Sequence, residues 1–161
     1  LSTKELKAGD RAPSFSLPST GGDRISLKDY AGKKNVILYF YPKDDTPGCT
    51  KEACSFRDES SRFRTKDAVV LGVSLDGLDS HERFARKYGL SFPLLSDENA
   101  AVSKAYGTYK EKNMYGRRFW GIERSTFLIG KDGKIKEIFR KVKVDGHSEA
   151  VLEGLSKAGK G

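Results

Sequence analysis

Two kinds of hydrophobic pattern alternate along this chain, and their order sets the first expectations. Asn35–Tyr41 (Asn-Val-Ile-Leu-Tyr-Phe-Tyr) is apolar at nearly every position and is closed by Pro42. Such a run, rich in β-branched and aromatic residues, reads as a strand buried on both faces. From Pro47 to about Arg64, the apolar positions Cys49, Ala53, Phe56 and Phe63 recur at helical spacing. Ala68–Ser74 reads as a second buried strand, Ser80–Tyr88 as a helix stopped by Gly89, and Phe92–Leu95 as a short extended piece. Glu98–Tyr106 reads as a short helix ended by Gly107. Ser125–Ile129 and Ile135–Val142 read as strands joined by the Asp-Gly turn of Gly130–Lys134. His147–Ala158 is a last amphipathic helix. Near the start, Phe15–Leu17 and Arg24–Leu27 flank Gly21-Gly22 and predict a hairpin.

Strands alternating with helices, then a terminal hairpin and helix, give a central mixed β-sheet with helices on both faces. An α/β thioredoxin-like fold with an N-terminal β-hairpin is the natural small solution. The length of 161 residues fits a single domain over 1–161, and no repeat or linker interrupts it. The longest unbroken apolar run, Val36–Tyr41, is too short to cross a membrane as a helix. No basic start followed by an apolar stretch opens the chain, so no signal peptide and a cytoplasmic location are expected.

Lys and Arg number 30 against 22 Asp and Glu, and the surplus lies almost wholly after residue 100. A basic balance invites a nucleic-acid reading. Here Lys134, Lys136 and Arg140 alternate with Ile135, Ile138 and Phe139, as on the solvent face of a strand. No dense basic block or zinc-finger pattern accompanies them, so no nucleic-acid partner is expected. His81 and His147, the only histidines, are too far apart in sequence for a Cys2His2 zinc site and read as ordinary polar positions. Lys43, Asp44 and Asp45 read as a solvated loop.

The two cysteines, Cys49 and Cys54, carry the sharpest signal. With Thr46 as N-cap and Pro47 as the first helical residue, Cys49 falls in the first turn, near unpaired N–H groups and the positive end of the helix dipole. That setting favours thiolate over thiol. In an intact helix, residues five apart have Cα atoms about 8.6 Å apart, from the rise and turn per residue. A disulfide needs less than about 7 Å. The two thiols therefore either never pair or pair only when the first turns unwind. Two inert core thiols and a reactive pair both fit this spacing.

The pattern Pro42-x-x-x-Thr46-x-x-Cys49 resembles the peroxidatic motif of peroxiredoxins. The fuller Thr46-Pro47-Gly48-Cys49-Thr50-x-Glu52-Ala53-Cys54 resembles the PrxQ branch, the bacterioferritin comigratory proteins. Gly121–Ile129, with Arg124, is similar to the second signature of that branch, and Lys110–Gly116 looks typical of its bacterial members. The resemblance runs from about Gly9 to His147. It implies a thioredoxin-dependent peroxidase that reduces hydrogen peroxide and organic hydroperoxides to water and alcohols. Cys49 would be the nucleophile that becomes a sulfenic acid. Arg124 would stabilise the thiolate and bind the peroxide, Thr46 would align its oxygens, Pro42 would shield the sulfur, and Glu52 would orient Arg124. Cys54 would resolve the sulfenic acid as an intramolecular disulfide, recycled by thioredoxin or a similar dithiol. Metal, haem and flavin are not implied, and a monomer is expected. Met114, Tyr115 and Trp120 can line an apolar wall or dock a reductase, with ordinary packing the plainer reading. A dithiol–disulfide exchange protein on the same fold is the competing function, although exchange needs neither Thr46 nor Arg124.

Overall fold

Alternation along one strand divides the core in two. In a computed structural model that describes residues 5–158, the central strand β3 (Asn35–Phe40) points Val36, Leu38 and Phe40 to one face of a sheet. Ile37 and Tyr39, with Tyr41 just beyond, point to the other, and all six side chains are buried. Around β3, five strands stand in the order β5 (Leu94–Ser96), β4 (Ala68–Ser74), β3, β8 (Ser125–Ile129), β9 (Ile135–Phe139). The pairs β3–β4 and β4–β5 are parallel, and β3–β8 and β8–β9 are antiparallel. This mixed sheet is the one expected.

On the Tyr39 face lie α1 (Pro47–Asp58), α2 (Ser60–Thr65), α3 (Leu78–Tyr88) and α5 (His147–Ala158), which contribute Ala53, Phe56, Phe63, Phe84, Val151 and Leu152. On the Phe40 face, the N-terminal hairpin of β1 (Ser16–Pro18) and β2 (Arg24–Ser26) and the short α4 (Ala101–Ala105) supply Leu17, Val102 and neighbouring Tyr106. Both layers expected from the alternation are present.

Several boundaries differ from the sequence reading. The helix expected over Pro47–Arg64 breaks at Glu59, and α2 restarts at Ser60. The break falls in the polar run Asp58–Ser61, where no side chain is held in the core, while Phe56 and Phe63 on either side remain packed 5.9 Å apart. Residues Glu98–Asn99 do not join α4, because the Asp97 carboxylate takes the N–H groups of Val102 and Ser103 and Ala100 turns left-handed at φ 62°. The extended run after Gly133 stops at Phe139 rather than Val142. Residues 109–122, whose pattern predicts no strand, form a two-stranded ribbon of β6 (Tyr109–Met114) and β7 (Arg117–Ile122). Tyr115 and Gly116 turn it, both at positive φ. Its alternation is masked because most of its residues face water on both sides.

Gly72 is closely packed within the sheet. It pairs with Tyr39 across β3–β4, and a Cβ there would lie 3.0 Å from the Tyr39 ring and 2.9 Å from Leu94. Gly72→Ala is expected to lower the unfolding free energy by about 1–3 kcal/mol, the usual cost of overpacking. Urea denaturation of the two proteins measures it, and equal midpoints would show that the Tyr39 ring moves aside freely.

Candidate active site

The site forms where β3 ends. Pro42 terminates the strand, and the loop Pro42–Thr46 leads into α1. Thr46 takes extended angles at the N-cap (φ −97°, ψ 156°), and Pro47 opens the helix. The expected capping bond is absent. The Thr46 hydroxyl instead donates to the Lys43 carbonyl at 2.9 Å, which leaves its lone pairs free to accept from a ligand. Cys49 follows in the first turn and is 2% exposed, whereas Cys54 is half-buried. Both cysteines are free, and both lie in one unbroken helix.

Arg124 reaches this helix from the far side of β3. The antiparallel register pairs Phe40 with Ser125, so Arg124, one residue before β8, sits beside the carboxyl end of β3. Its main-chain oxygen accepts from Val142 N–H at 3.0 Å, which fixes the backbone. Nη2 donates to Cys49 Sγ at 3.2 Å, and Nη1 donates to Glu52 Oε1 at 2.6 Å. Cys49 and Glu52 are three residues apart on one helix face, so a single guanidinium spans both. Gly48 leaves room for this approach. A Cβ at that position would stand 3.2 Å from Nη2.

The carboxyl of Glu52 is fully buried, and Oε2 has no hydrogen-bond partner among the described residues. Burial pushes it up to about 7, against the charge and hydrogen bond of Arg124, which pull it down. For Arg124, burial works against the charged form, but the carboxylate of Glu52 and the Cys49 sulfur outweigh it and raise the value. The two shifts favour opposite protonation states of the carboxyl. The guanidinium stays charged throughout the working range, so it is the carboxyl that gives up charge near neutrality.

Two residues outside the expected set belong to this environment. His147 Nε2 lies 2.8 Å from the Thr126 hydroxyl, and burial, helped by the charge of Arg124, pushes the imidazole down to about 4. It is a neutral, buried imidazole packed edge-on against Phe56 and Phe139 rather than the ordinary polar position expected. Lys112 on β6 is partly buried. Burial and then the charge of Arg124 lower its ammonium, whereas Cys49 and Glu123 act the other way. The loop Lys43–Asp45 is solvated only in part. Lys43 and Asp45 are exposed as expected, but Asp44 is buried, and His81, expected to be unremarkable, is fully buried against it. The two are 37 residues apart, one on a loop and one on α3, and gave no local signal. Of the expected site residues, the structure brings Thr46, Cys49, Glu52 and Arg124 together at the end of β3, with Pro42 half-buried at the loop entrance. Cys54 lies further along α1.

Comparison with known proteins places the arrangement in a wider set. The AhpC/TSA family profile matches residues 8–138. The putative peroxiredoxin bcp of Coxiella burnetii is 52% identical over 150 residues, covering 93% of this chain and 99% of that protein. Peroxiredoxin Bcp of Bacillus subtilis is 45% identical over 93% of this chain and 95% of its own length. Among solved structures, Xanthomonas campestris peroxiredoxin Q aligns with a TM-score of 0.85 at 45% identity, covering 89% of this chain and 90% of that one. A cysteine mutant of Xylella fastidiosa PrxQ reaches 0.91 at 42% identity, covering 98% and 99%. A further X. campestris structure concerns alkyl peroxide reduction by its bacterioferritin comigratory protein.

The raised Glu52 carboxyl has a signed consequence. The folded chain keeps a proton there that the unfolded chain gives up from pH 4.5 upward, so this contribution to stability is complete below pH 4.5 and is lost as pH rises through about 7. Glu52→Gln removes the titration. Relative to wild type, the variant is expected to gain about 3 kcal/mol of unfolding free energy between pH 4.5 and 8, from the size of the shift. Urea unfolding across that range tests it, and parallel pH curves for the two proteins would exclude it.

Proposed function

The chain belongs to the AhpC/TSA family, in its Bcp/PrxQ peroxiredoxin branch, and on that premise we propose that it is a two-cysteine thiol peroxidase acting through Cys49 and Cys54. The observation that carries this reading is the guanidinium of Arg124, which donates to the Cys49 sulfur and is held by Glu52. A charge-assisted donor beside the sulfur stabilises the negative charge that develops as an O–O bond breaks.

The Cys49 thiolate attacks one oxygen of the hydroperoxide. An S–O bond forms, the O–O bond breaks, and the departing oxygen takes up a proton and leaves as water or alcohol. Thr46, its own hydrogen committed to Lys43, accepts from the peroxide O–H and so orients it. Pro42 limits the approach of water from the loop side. The Cys54 thiol then attacks the sulfenic sulfur, an S–S bond forms, and the hydroxyl leaves as water. Because both cysteines lie in intact α1, the start of that helix must unwind for this step. Thioredoxin or a similar dithiol exchanges with the disulfide, becoming oxidised itself and returning Cys49 and Cys54 to thiols. Hydrogen peroxide and organic hydroperoxides are the substrates. The working unit is one domain over residues 1–161, a monomer in a cytoplasm that keeps thiols reduced. Among the described residues, no helix is long and apolar enough to cross a membrane.

The β6–β7 ribbon is the surface this reading gives to the reductant. The exposed large hydrophobics named among the described residues, Met114, Tyr115, Phe119 and Trp120, all lie on the β6–β7 ribbon, which leads directly to Arg124. Between Tyr109 and Ile122 stand four basic residues and one acidic one. This surface suits an apolar patch ringed by acidic groups on the dithiol protein, and like charge opposes pairing with a second copy. Replacement of Tyr115 and Trp120 by Ser is expected to raise the KM for the reductant about tenfold while single-turnover oxidation by peroxide keeps its rate, the loss typical of hot-spot aromatics. An unchanged KM with slowed oxidation would make the ribbon a substrate wall instead.

The central test is mass spectrometry after one equivalent of peroxide. Wild type is expected to lose two hydrogens as a Cys49–Cys54 disulfide, and Cys54→Ser to stop at a Cys49 sulfenic acid without thioredoxin-linked turnover. Full turnover in Cys54→Ser would remove Cys54 from its role. Reduction of a protein disulfide with no consumption of peroxide would favour the exchange protein.

A further inference from the structure

Asp44 and His81 form a buried pair that the peroxidase chemistry above does not use. Asp44 is 7% exposed, between exposed neighbours on an active-site loop, and its carboxylate takes partners from separate elements. The Tyr41 hydroxyl, at the end of β3, donates to Oδ1 at 2.6 Å. The Ser80 hydroxyl, in α3, donates to Oδ2 at 2.8 Å, and His81 Nδ1 lies 2.7 Å from the same oxygen. His81 Nε2 is 2.9 Å from the Leu95 carbonyl in β5. A carbonyl only accepts, so Nε2 carries a proton. Two bare acceptors 2.7 Å apart would repel, so Nδ1 and Oδ2 share another. The pair is thus net neutral and hydrogen-bonded throughout, which offsets the cost of burying it.

The loop backbone is tied as firmly as the side chain. Asp44 N–H donates to Asp76 Oδ2 at 2.8 Å, and the Ser74 hydroxyl donates to the same oxygen at 2.6 Å. Asp44, Asp76 and His81 bring potential ligand atoms within 4.8 Å of one another, but groups of the protein already occupy them. At the other end of α3, Lys87 and Tyr88 each bond Asp45 at 2.8 Å. The start of α1 contrasts with this. Thr46 gives no side-chain cap, Pro47 brings no N–H, and Gly48 is the residue that loses most conformational freedom on ordering.

We infer that Asp44 and His81 are positioning residues that hold the loop Pro42–Thr46 stationary while the start of α1 unwinds to bring Cys49 to Cys54. The inference rests on the two-cysteine reading above and adds where the unwinding stops. Opening runs through the weakly held first turns and ends at Thr46, because passing it would break a buried network shared by β3, α3, β4 and β5. Pro42 and Thr46 keep their places through the redox cycle, and after reduction the helix rewinds from a fixed first residue.

The first test uses the wild-type chain, comparing amide exchange by NMR in the reduced protein and in the disulfide form verified by mass. Oxidation is expected to speed exchange at Thr50 and Ala53 about tenfold or more and to change Asp44, whose amide is bonded to Asp76, by less than about twofold. Equal acceleration at Asp44 and Thr50 overturns the inference. Failure of the disulfide to form overturns the two-cysteine reading, and the inference falls with it. The second test separates positioning from mere support. Asp44→Ala is expected to slow peroxide attack on Cys49 about tenfold and to leave the Cys54 condensation within about twofold, because only the first step needs the ordered loop. Asp44→Asn, whose amide donates to His81 Nδ1 and whose oxygen accepts from Tyr41, is expected to recover most of the lost rate. Equal losses in both steps with no recovery in Asp44→Asn would mark a purely structural role and overturn the inference. Should Asp44→Ala not fold, Ser80→Ala removes one donor from the pair and is expected to give the same one-sided loss, about threefold.

Discussion

One guanidinium held between a carboxyl and a sulfur is the constraint to which the rest of the molecule answers. Arg124 reaches Cys49 and Glu52 together only if those residues lie on the same face of a helix and only if that helix begins beside the end of β3. The antiparallel register of β3 with β8 brings the arginine there, and Pro42 and Pro47 set the two ends of the loop between. The bridge exists only while the first turns of α1 are helical. On the proposed two-cysteine reading, the state that attacks peroxide is therefore the fully wound one, and the unwinding that would let Cys54 approach also takes the sulfur away from its arginine.

That arrangement works against stability at two points. A carboxyl with one oxygen unpartnered in the core is costly to ionise, and Glu52 would not be placed there for packing alone. Gly48 is the second. A larger residue would restrain the helix start better, but its Cβ would press on the guanidinium. The sheet compensates. Six successive buried side chains along Val36–Tyr41, shared between two faces, anchor the site from beneath.

The fold was readable where hydrophobic pattern and structure share a period. Val36–Tyr41, Ala68–Ser74 and Ser125–Ile129 are apolar at nearly every position because both faces of the sheet are covered, and the sequence reading placed all three. The β6–β7 ribbon was missed because nothing covers most of it, so no alternation marks it out. Its only strong signal was the Tyr115-Gly116 turn. Among site residues, the helix start from Thr46 to Cys49 was legible in local spacing, whereas Glu52 and Arg124 rested on a family resemblance, the arginine in a signature seventy-odd residues away. Asp44, His81 and His147 escaped because their partners come from other elements. A charged residue between Lys43 and Asp45 looks solvated until α3 is laid across it, and a histidine shows its partner only when the chain closes.

The division between firm and yielding parts follows from the same chemistry. A disulfide across five helical residues demands local unfolding, and local unfolding spreads until it meets interactions that cost more to break than the next turn returns. C-terminal to Cys54, that barrier is Phe56, buried against Tyr39 at 4.7 Å and Phe63 at 5.9 Å. N-terminal to Cys49, no apolar side chain of the loop enters the core, so a barrier there must be polar. A buried polar contact resists opening only when each member is satisfied, since a half-paired one would favour solvation. Asp44 meets that condition with its backbone N–H and both carboxylate oxygens engaged. Apolar packing on one side and a satisfied polar pair on the other thus confine the unwound segment to the turns that carry the two sulfurs.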